Sequence, residues 1–186
     1  NTVTGRLTVL SGPQVLTLPK KYRDIITSRY KNGVIAQVDF TSLEPRVARL
    51  ASGGNADVDV YMQLSNELFN SSLAREQVKI AVLCALYGVS KNKLSSMLGT
   101  GFNADQIIKS IRTFFGIPDL AKNLRSQIRA CNVIQNHFGR IIEPSKVDEN
   151  VLINHYVQST AVDVAALGFY RLVNSISELN VEPLFI

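Results

Sequence analysis

An α+β fold, mainly helical, is predicted by three features of the chain. Short apolar stretches with strand character lie at 7 to 10, 34 to 39, 140 to 143 and 181 to 186, so most of them sit toward the two ends. Between them the apolar spacing is helical, over 43 to 51, 59 to 69, 73 to 86, 90 to 98, 104 to 114, 118 to 136 and 150 to 177. Turn signals at Gly12-Pro13, Gly53-Gly54-Asn55, Gly99 to Gly101, Gly116 to Pro118 and Gly139 punctuate these runs.

The 34 to 50 segment, VIAQVDFTSLEPRVARL, reads as a buried strand (Val34, Ile35, Ala36, Val38) ending at an acid, Asp39. A helix then begins, with Ser42 placed to cap it and Pro45 in its first turn, where a missing backbone N–H costs nothing. A carboxylate at the C-terminal end of a strand is well placed to hold a hard cation such as Mg²⁺. It serves equally as a turn or capping residue. Glu44 and Arg46 on the following turn read as a local ion pair worth little.

The helix over 73 to 86 leads through the stretch REQVKIAVLCALYG, residues 75 to 88. A four-residue step overshoots a full turn by about 40°, so Arg75, Lys79, Leu83 and Tyr87 form a slanting row. Arg offers a planar fork to phosphate oxygens and Lys a mobile point charge, while Leu83 and Tyr87 could meet a sugar and a base. A solvated basic edge on an amphipathic helix has the same spacing.

Composition bounds the rest. With 186 residues, 46% hydrophobic and 19% charged, the chain can bury a core as one domain or two small subdomains. No apolar run approaches the ~20 residues of a membrane-spanning helix, and no repeat or low-complexity linker is present. A net charge of +5 favours a polyanionic partner modestly. Lys20, Lys21, Arg23, Arg125 and Arg129 read as solvated faces. Cys84 and Cys131 form neither a CxxC pair nor a disulfide framework, and Cys84 in its apolar helix reads as a packed thiol, in keeping with a reducing cytosol. His137 and His155 have no zinc spacing around them.

Taken together in order, the motifs resemble the family A DNA polymerases, the group of bacterial DNA polymerase I and many phage replicases. The family's Asp-Tyr-Ser-Gln-x-Glu-x-Arg is matched by Asp39, Phe40, Thr41, Ser42, Leu43, Glu44, Pro45, Arg46. Its fingers helix, Arg-x3-Lys-x3-Phe/Tyr-Gly-x2-Tyr-Gly, is matched by Arg75, Lys79, Leu83, Cys84, Tyr87 and Gly88. Upstream, NTVTGRLTVLSGPQVLTLP resembles the Thr-Gly-Arg-Leu segment and its Pro-x5-Pro frame at Pro13 and Pro19. Downstream, INHYVQSTAVD resembles Ile-Asn-x-Pro-x-Gln-Gly-Thr-Ala-x-Asp through Asn154, Gln158, Thr160, Ala161 and Asp163. The chain departs from the family pattern at Leu83 and Cys84, at Leu16 and Thr17, at Ser42 and Ser159, and at Asn150, where the family has Arg.

The resemblance implies a partial polymerase palm sheet with a helical fingers insertion: palm over 1 to 52 and 149 to 186, fingers over 53 to 148. It implies transfer of a deoxynucleotide to a primer 3′-hydroxyl with two Mg²⁺ ions, in DNA replication or repair, in the cytoplasm of a bacterial cell or phage-infected host. Asp39 and the Phe40 backbone carbonyl would hold metal, and Arg75 and Lys79 would take the triphosphate. Glu44, Leu83 and Tyr87 would surround the sugar and base. Arg6, Gly88, Asn154 and Gln158 would touch primer or template. The family's second metal-binding acid follows an apolar strand like VEPLFI, so the expectation is a piece of a larger polymerase, inactive alone. A DNA-binding accessory module on the same scaffold, without catalysis, is the alternative, and a helical interaction protein without nucleic acid is a third.

Overall fold

The computed structural model describes residues 2–12, 18–70, 72–88, 91–98, 102–179 and 181–182. Among these, helices α1 (Leu43–Ala51), α2 (Val60–Phe69), α3 (Arg75–Tyr87), α4 (Lys91–Leu98), α5 (Ala104–Phe114) and α6 (Ile117–Cys131) lead into a two-stranded antiparallel sheet, β1 (Ile134–Gln135) with β2 (Ile141–Ile142). The long α7 (Glu149–Ser175) follows. The fold is therefore mainly helical with a small sheet, α+β at that level.

Local chemistry explains most helix ends. Asp59 and Asp148 cap α2 and α7, each carboxylate accepting from two backbone N–H groups of the first turn. The Asn103 amide oxygen does the same for α5, accepting from the Gln106 N–H at 3.1 Å. At α3 the Gln77 side chain reaches back to the Ala74 N–H at 2.9 Å, and the helix ends at Gly88 with φ +70°, the left-handed turn that glycine adopts without strain.

Helix α6 stops at Cys131, five residues short of the expected 136. Asn132 takes the left-handed cap with φ +59°, and Asn136 organises a tight turn, its amide oxygen accepting from the Phe138 and Arg140 N–H groups at 2.9 Å each. Asn tolerates the left-handed conformation at 132, and the Asn136 side chain competes with helix propagation by satisfying nearby backbone groups, so the helix ends here. The turn brings Ile134 opposite Ile142 and Gln135 opposite Ile141, which fulfils the strand expected over 140 to 143.

Helix α7, 27 residues and about 40 Å long at 1.5 Å per residue, is the spine. It packs on α1, α3 and α6, while α3 also packs on α2, α4 and α5. One apolar cluster runs through all of them: Val47 and Ala48 of α1, Leu64 of α2, Val82 and Leu86 of α3, Ile111 of α5, Leu124 of α6, and Leu152, Ile153 and Val157 of α7. Each fully buried aliphatic side chain of this kind stabilises the fold by about 1.5–3 kcal/mol relative to exposure.

The N-terminal strands are corrections. Residues 34 to 39 form no strand and are not buried: Val34 is 87%, Ile35 45% and Val38 58% exposed. Residues 7 to 10 likewise form no strand, with Leu10 91% exposed. Val181 and Glu182 are irregular, and 183 to 186 lie outside the described residues, as do Pro13, Leu16 and Thr17. A strand exists only with a ladder partner, and among the described residues none of these segments pairs with another. A 3₁₀ helix at Lys20–Ile25, which the sequence pattern had not indicated, takes up much of the basic run.

Candidate functional site

Asp39 lies on an irregular segment, yet its neighbour Phe40 has a fixed seat. The Phe40 ring meets Phe169 edge to face at 5.2 Å between centroids, against α7. Gly168 makes the seat possible: a Cβ there would fall 2.5 Å from Phe40 Cζ. The missing side chain of one helical residue thus anchors the segment that carries the acid. Sequence reading passed over Gly168 because a glycine inside a helical pattern announces a close approach only once the opposing group is known.

Beyond Phe40 the chain turns into α1 through Ser42, which occupies the left-handed region with φ +54°. Ser42 stands at the N-cap position as expected, but its side chain caps nothing; its hydroxyl faces the Tyr61 phenol instead. The expected local pair of Glu44 and Arg46 is also absent. Arg46 donates to the carbonyl of Ala56, and Glu44 accepts a hydrogen bond from the Tyr87 hydroxyl. Ala56 lies in the loop before α2 and Tyr87 on α3, so each side chain bonds beyond its own turn of helix.

These contacts frame a cleft of about 270 Å³ lined by Asp39, Phe40, Thr41, Ser42, Tyr61, Arg75 and Lys79. Among the described residues Asp39 is the single carboxylate on that lining, and the two cations of the α3 row face the same space. Arg75 donates from Nε to Asp59 Oδ2 at 2.9 Å and lies over the Tyr61 ring, 5.0 Å from its centroid. Lys79 is 3.9 Å from Glu76 and exposed, so its ammonium is held only loosely. Leu83 is half-buried on the same helix.

Tyr87, at the end of the row, turns away from Arg75 and Lys79 toward α1. Burial, reinforced by the Glu44 charge, holds its hydroxyl well above the ordinary tyrosine range, so it stays a donor to Glu44. Gly88 follows directly, and its open face is the place of Asn150: a Cβ on Gly88 would approach Asn150 Nδ2 to 2.7 Å. Asn150 and its neighbour Glu149 are in turn tied to Arg112, which also donates to the Ala85 carbonyl at 2.9 Å. Arg125, expected on a solvated face, completes the group through Glu149.

A second polar cluster assembles on α7. Gln158 accepts from Thr4 Oγ1 at 2.6 Å, which lays the Thr-Gly-Arg segment along the helix. Beside it, Arg140 forms a forked ion pair with Asp163, and Asn136 donates to Asp163 at 2.6 Å and to Ser159 at 2.9 Å. The hydrogen bond from Arg140, with that from Asn136, keeps the Asp163 carboxyl below its usual range against the opposing pull of burial. Arg6 is exposed next to this cluster, and Asn154 is half-buried with no hydrogen bond among the described residues. Asn136, Arg140 and Tyr61 were not singled out in the sequence, where nothing distinguishes them from ordinary turn and core residues.

Among the described residues no three His, Cys, Asp or Glu side chains gather as a metal cage. Asp39 with the Phe40 carbonyl suits a Mg²⁺ that takes its remaining ligands from phosphate oxygens and water, since Mg²⁺ is commonly bound through one or two carboxylates plus substrate phosphates. Among the described residues the cleft lining offers a second ion no further carboxylate. Cys84 is buried and Cys131 exposed, and the two are not bridged. No described helix is long and apolar enough to cross a membrane.

No family model, curated protein or solved structure matches this chain.

Proposed function

We propose that the chain is the nucleotide-binding portion of a template-directed DNA polymerase of the family A kind. The observation that carries the reading is the convergence of Asp39, Arg75 and Lys79 on one cleft from segments 36 and more residues apart. A carboxylate facing two cations across a small polar cleft suits a metal-bound triphosphate, with the anion drawn to Arg75 and Lys79 and the metal to the acid.

In the proposed reaction the primer 3′-oxygen attacks the α-phosphorus, its proton passes to solvent, and the bond to the β-phosphate oxygen breaks to release pyrophosphate. Mg²⁺ held by Asp39 and the Phe40 carbonyl would supply Lewis-acid polarisation of the α-phosphate. Arg75 and Lys79 stabilise the charge that grows on the leaving pyrophosphate, which is the main demand of phosphoryl transfer. Glu44, fixed by Tyr87, stands beside the cleft as the group that crowds a ribose 2′-hydroxyl, and Leu83 presses on the sugar. Gly88 closes α3 where the templating base would stack. Gln158, bonded to Thr4, with Arg6 two residues further along that segment and Asn154 one turn earlier on α7, would form the primer and template side, positioning a backbone without reading sequence. The palm and fingers divide at residues 52 and 148 belongs to the same proposal, as do the second metal ion and a cytoplasmic site of action.

The test is Mg²⁺-dependent binding of a deoxynucleoside triphosphate to the protein on a primer-template with a blocked 3′ end. Lys79→Ala is expected to weaken nucleotide binding about tenfold or more, the worth of one charge-assisted contact, while DNA affinity changes less than about twofold. Equal losses for both ligands would make the stripe a general basic patch and support the accessory-module reading.

A further inference from the structure

Arg75 opens α3 with its guanidinium held from two sides. Nε donates to Asp59 Oδ2 at 2.9 Å, and the plane lies over the Tyr61 ring at 5.0 Å. Nη1 makes only a long contact to Glu76 at 3.4 Å, and Nη2 makes no hydrogen bond among the described residues. The outer edge of the fork is therefore open at the cleft that Arg75 lines with Asp39 and Lys79.

Asp59 is itself held through both carboxylate oxygens. Its other oxygen, Oδ1, accepts from the Tyr61 N–H at 2.9 Å and the Met62 N–H at 3.2 Å, capping α2. The carboxylate thus uses one oxygen to end a helix and the other to grip the inner nitrogen of an arginine on the next helix. Burial pulls the Asp59 carboxyl upward, but the Arg75 and backbone hydrogen bonds outweigh it and keep the group ionised. A free arginine side chain samples many rotamers, and a partner that removes part of this freedom before the ligand arrives raises affinity without touching the ligand.

We propose that Asp59 is a positioning residue: by clamping Nε it aims the free edge of the Arg75 guanidinium at the phosphates of a nucleoside triphosphate in the Asp39–Lys79 cleft. The inference rests on the triphosphate reading of that cleft. It goes beyond it in naming a residue outside the lining as the one that sets the cation's direction. Tyr61 serves as the floor under the fork.

Asp59→Asn separates this role from capping, because Asn caps a helix about as well as Asp, and with its one oxygen on the Tyr61 and Met62 N–H groups it turns an NH₂ donor, in place of the charged acceptor Oδ2, toward Arg75 Nε. Mg²⁺-dATP affinity is measured for the wild type, Asp59→Asn, Arg75→Ala and the double variant, with thermal unfolding alongside. Asp59→Ser, which also retains a capping oxygen, is the second variant should Asp59→Asn fail to fold. The expected result is about tenfold weaker binding by Asp59→Asn in the native background and no further loss in the Arg75→Ala background, a coupling of the size seen for contacting residues. Unchanged or tighter binding by Asp59→Asn, or equal losses in both backgrounds, overturns the inference. If the wild type binds and Lys79→Ala weakens it while Asp59→Asn does not, the cleft reading stands and the Asp59 role falls. If the wild type binds no triphosphate, both fall.

Discussion

Thr4 donates its hydroxyl to the Gln158 side-chain carbonyl at 2.6 Å, joining residues 154 positions apart. Thr4 is buried in that contact although Val3 and Leu7 around it are exposed. The next residue, Gly5, has φ +83°, and a Cβ there would stand 3.0 Å from the Arg140 guanidinium, so the segment crosses Arg140 at a point with no room to spare. The described N-terminal segment thus meets α7 through a short hydrogen bond at Thr4 and passes close to Arg140 at Gly5.

Thr4→Val keeps the shape of the side chain and removes the donor. Loss of one such bond that leaves the partner half-solvated costs about 1 kcal/mol. Thermal unfolding should shift only slightly, while limited proteolysis between residues 5 and 12 should accelerate severalfold as the segment detaches. Unchanged protease resistance would mean that contacts other than the Thr4 hydrogen bond hold it.

The Arg140–Asp163 pair sets a pH dependence. Arg140, first, and Asn136 hold the Asp163 carboxyl below its ordinary value, so the folded state binds this proton less readily than the unfolded chain. A depressed carboxyl contributes stability above the unfolded value of about 3.9, and that contribution is lost as pH falls through the lower folded value. Unfolding midpoints measured from pH 7 to pH 2.5 should fall less steeply at the acid end for Asp163→Asn than for the wild type, and lie lower than the wild type at pH 7. Parallel curves would show that the pair is too exposed to matter.

Gly168→Ala tests the seat of the acid-bearing segment. In a helix interior Ala is favoured over Gly by about 1 kcal/mol, which offsets strain from the new methyl group. At 2.5 Å the Cβ and the Phe40 ring cannot both stay in place, and the ring is the part that can move. Global stability is expected to remain within about 1 kcal/mol of the wild type. Hydrogen exchange at residues 38 to 42 should rise and Mg²⁺-dependent nucleotide binding should fall. Binding equal to the wild type would show that Asp39 does not depend on the Phe40 anchor.

Several parts of the molecule were legible in the chain itself. The α1 and α3 spans agree with expectation to within two residues, because helical hydrogen bonds close within four residues and their caps are local. The Arg75 and Lys79 spacing placed both on one face for the same reason, and Cys84 is packed as its apolar neighbours suggested. Asp39 was read at the end of an expected strand and just before a helix; the helix forms and the strand does not.

What tertiary structure decided is everything that needs a partner distant in sequence. The apolar run at 34 to 38 has the composition of a strand, but a strand is half a structure until a neighbour supplies the ladder, and here none does among the described residues. Glu44 chose Tyr87 over Arg46, Ser42 chose Tyr61 over its own helix, and Asp59 took Arg75 in addition to its cap. Each choice was settled by which groups the packing of α1, α2, α3 and α7 brought within hydrogen-bonding distance. By itself, then, the sequence determined the helices and the chemical character of the cleft, since both depend on near neighbours and residue type. Only the tertiary structure decided how the cleft's side chains are aimed, because a buried or half-buried polar group is oriented by whichever partner satisfies it, and that partner is a matter of position in space.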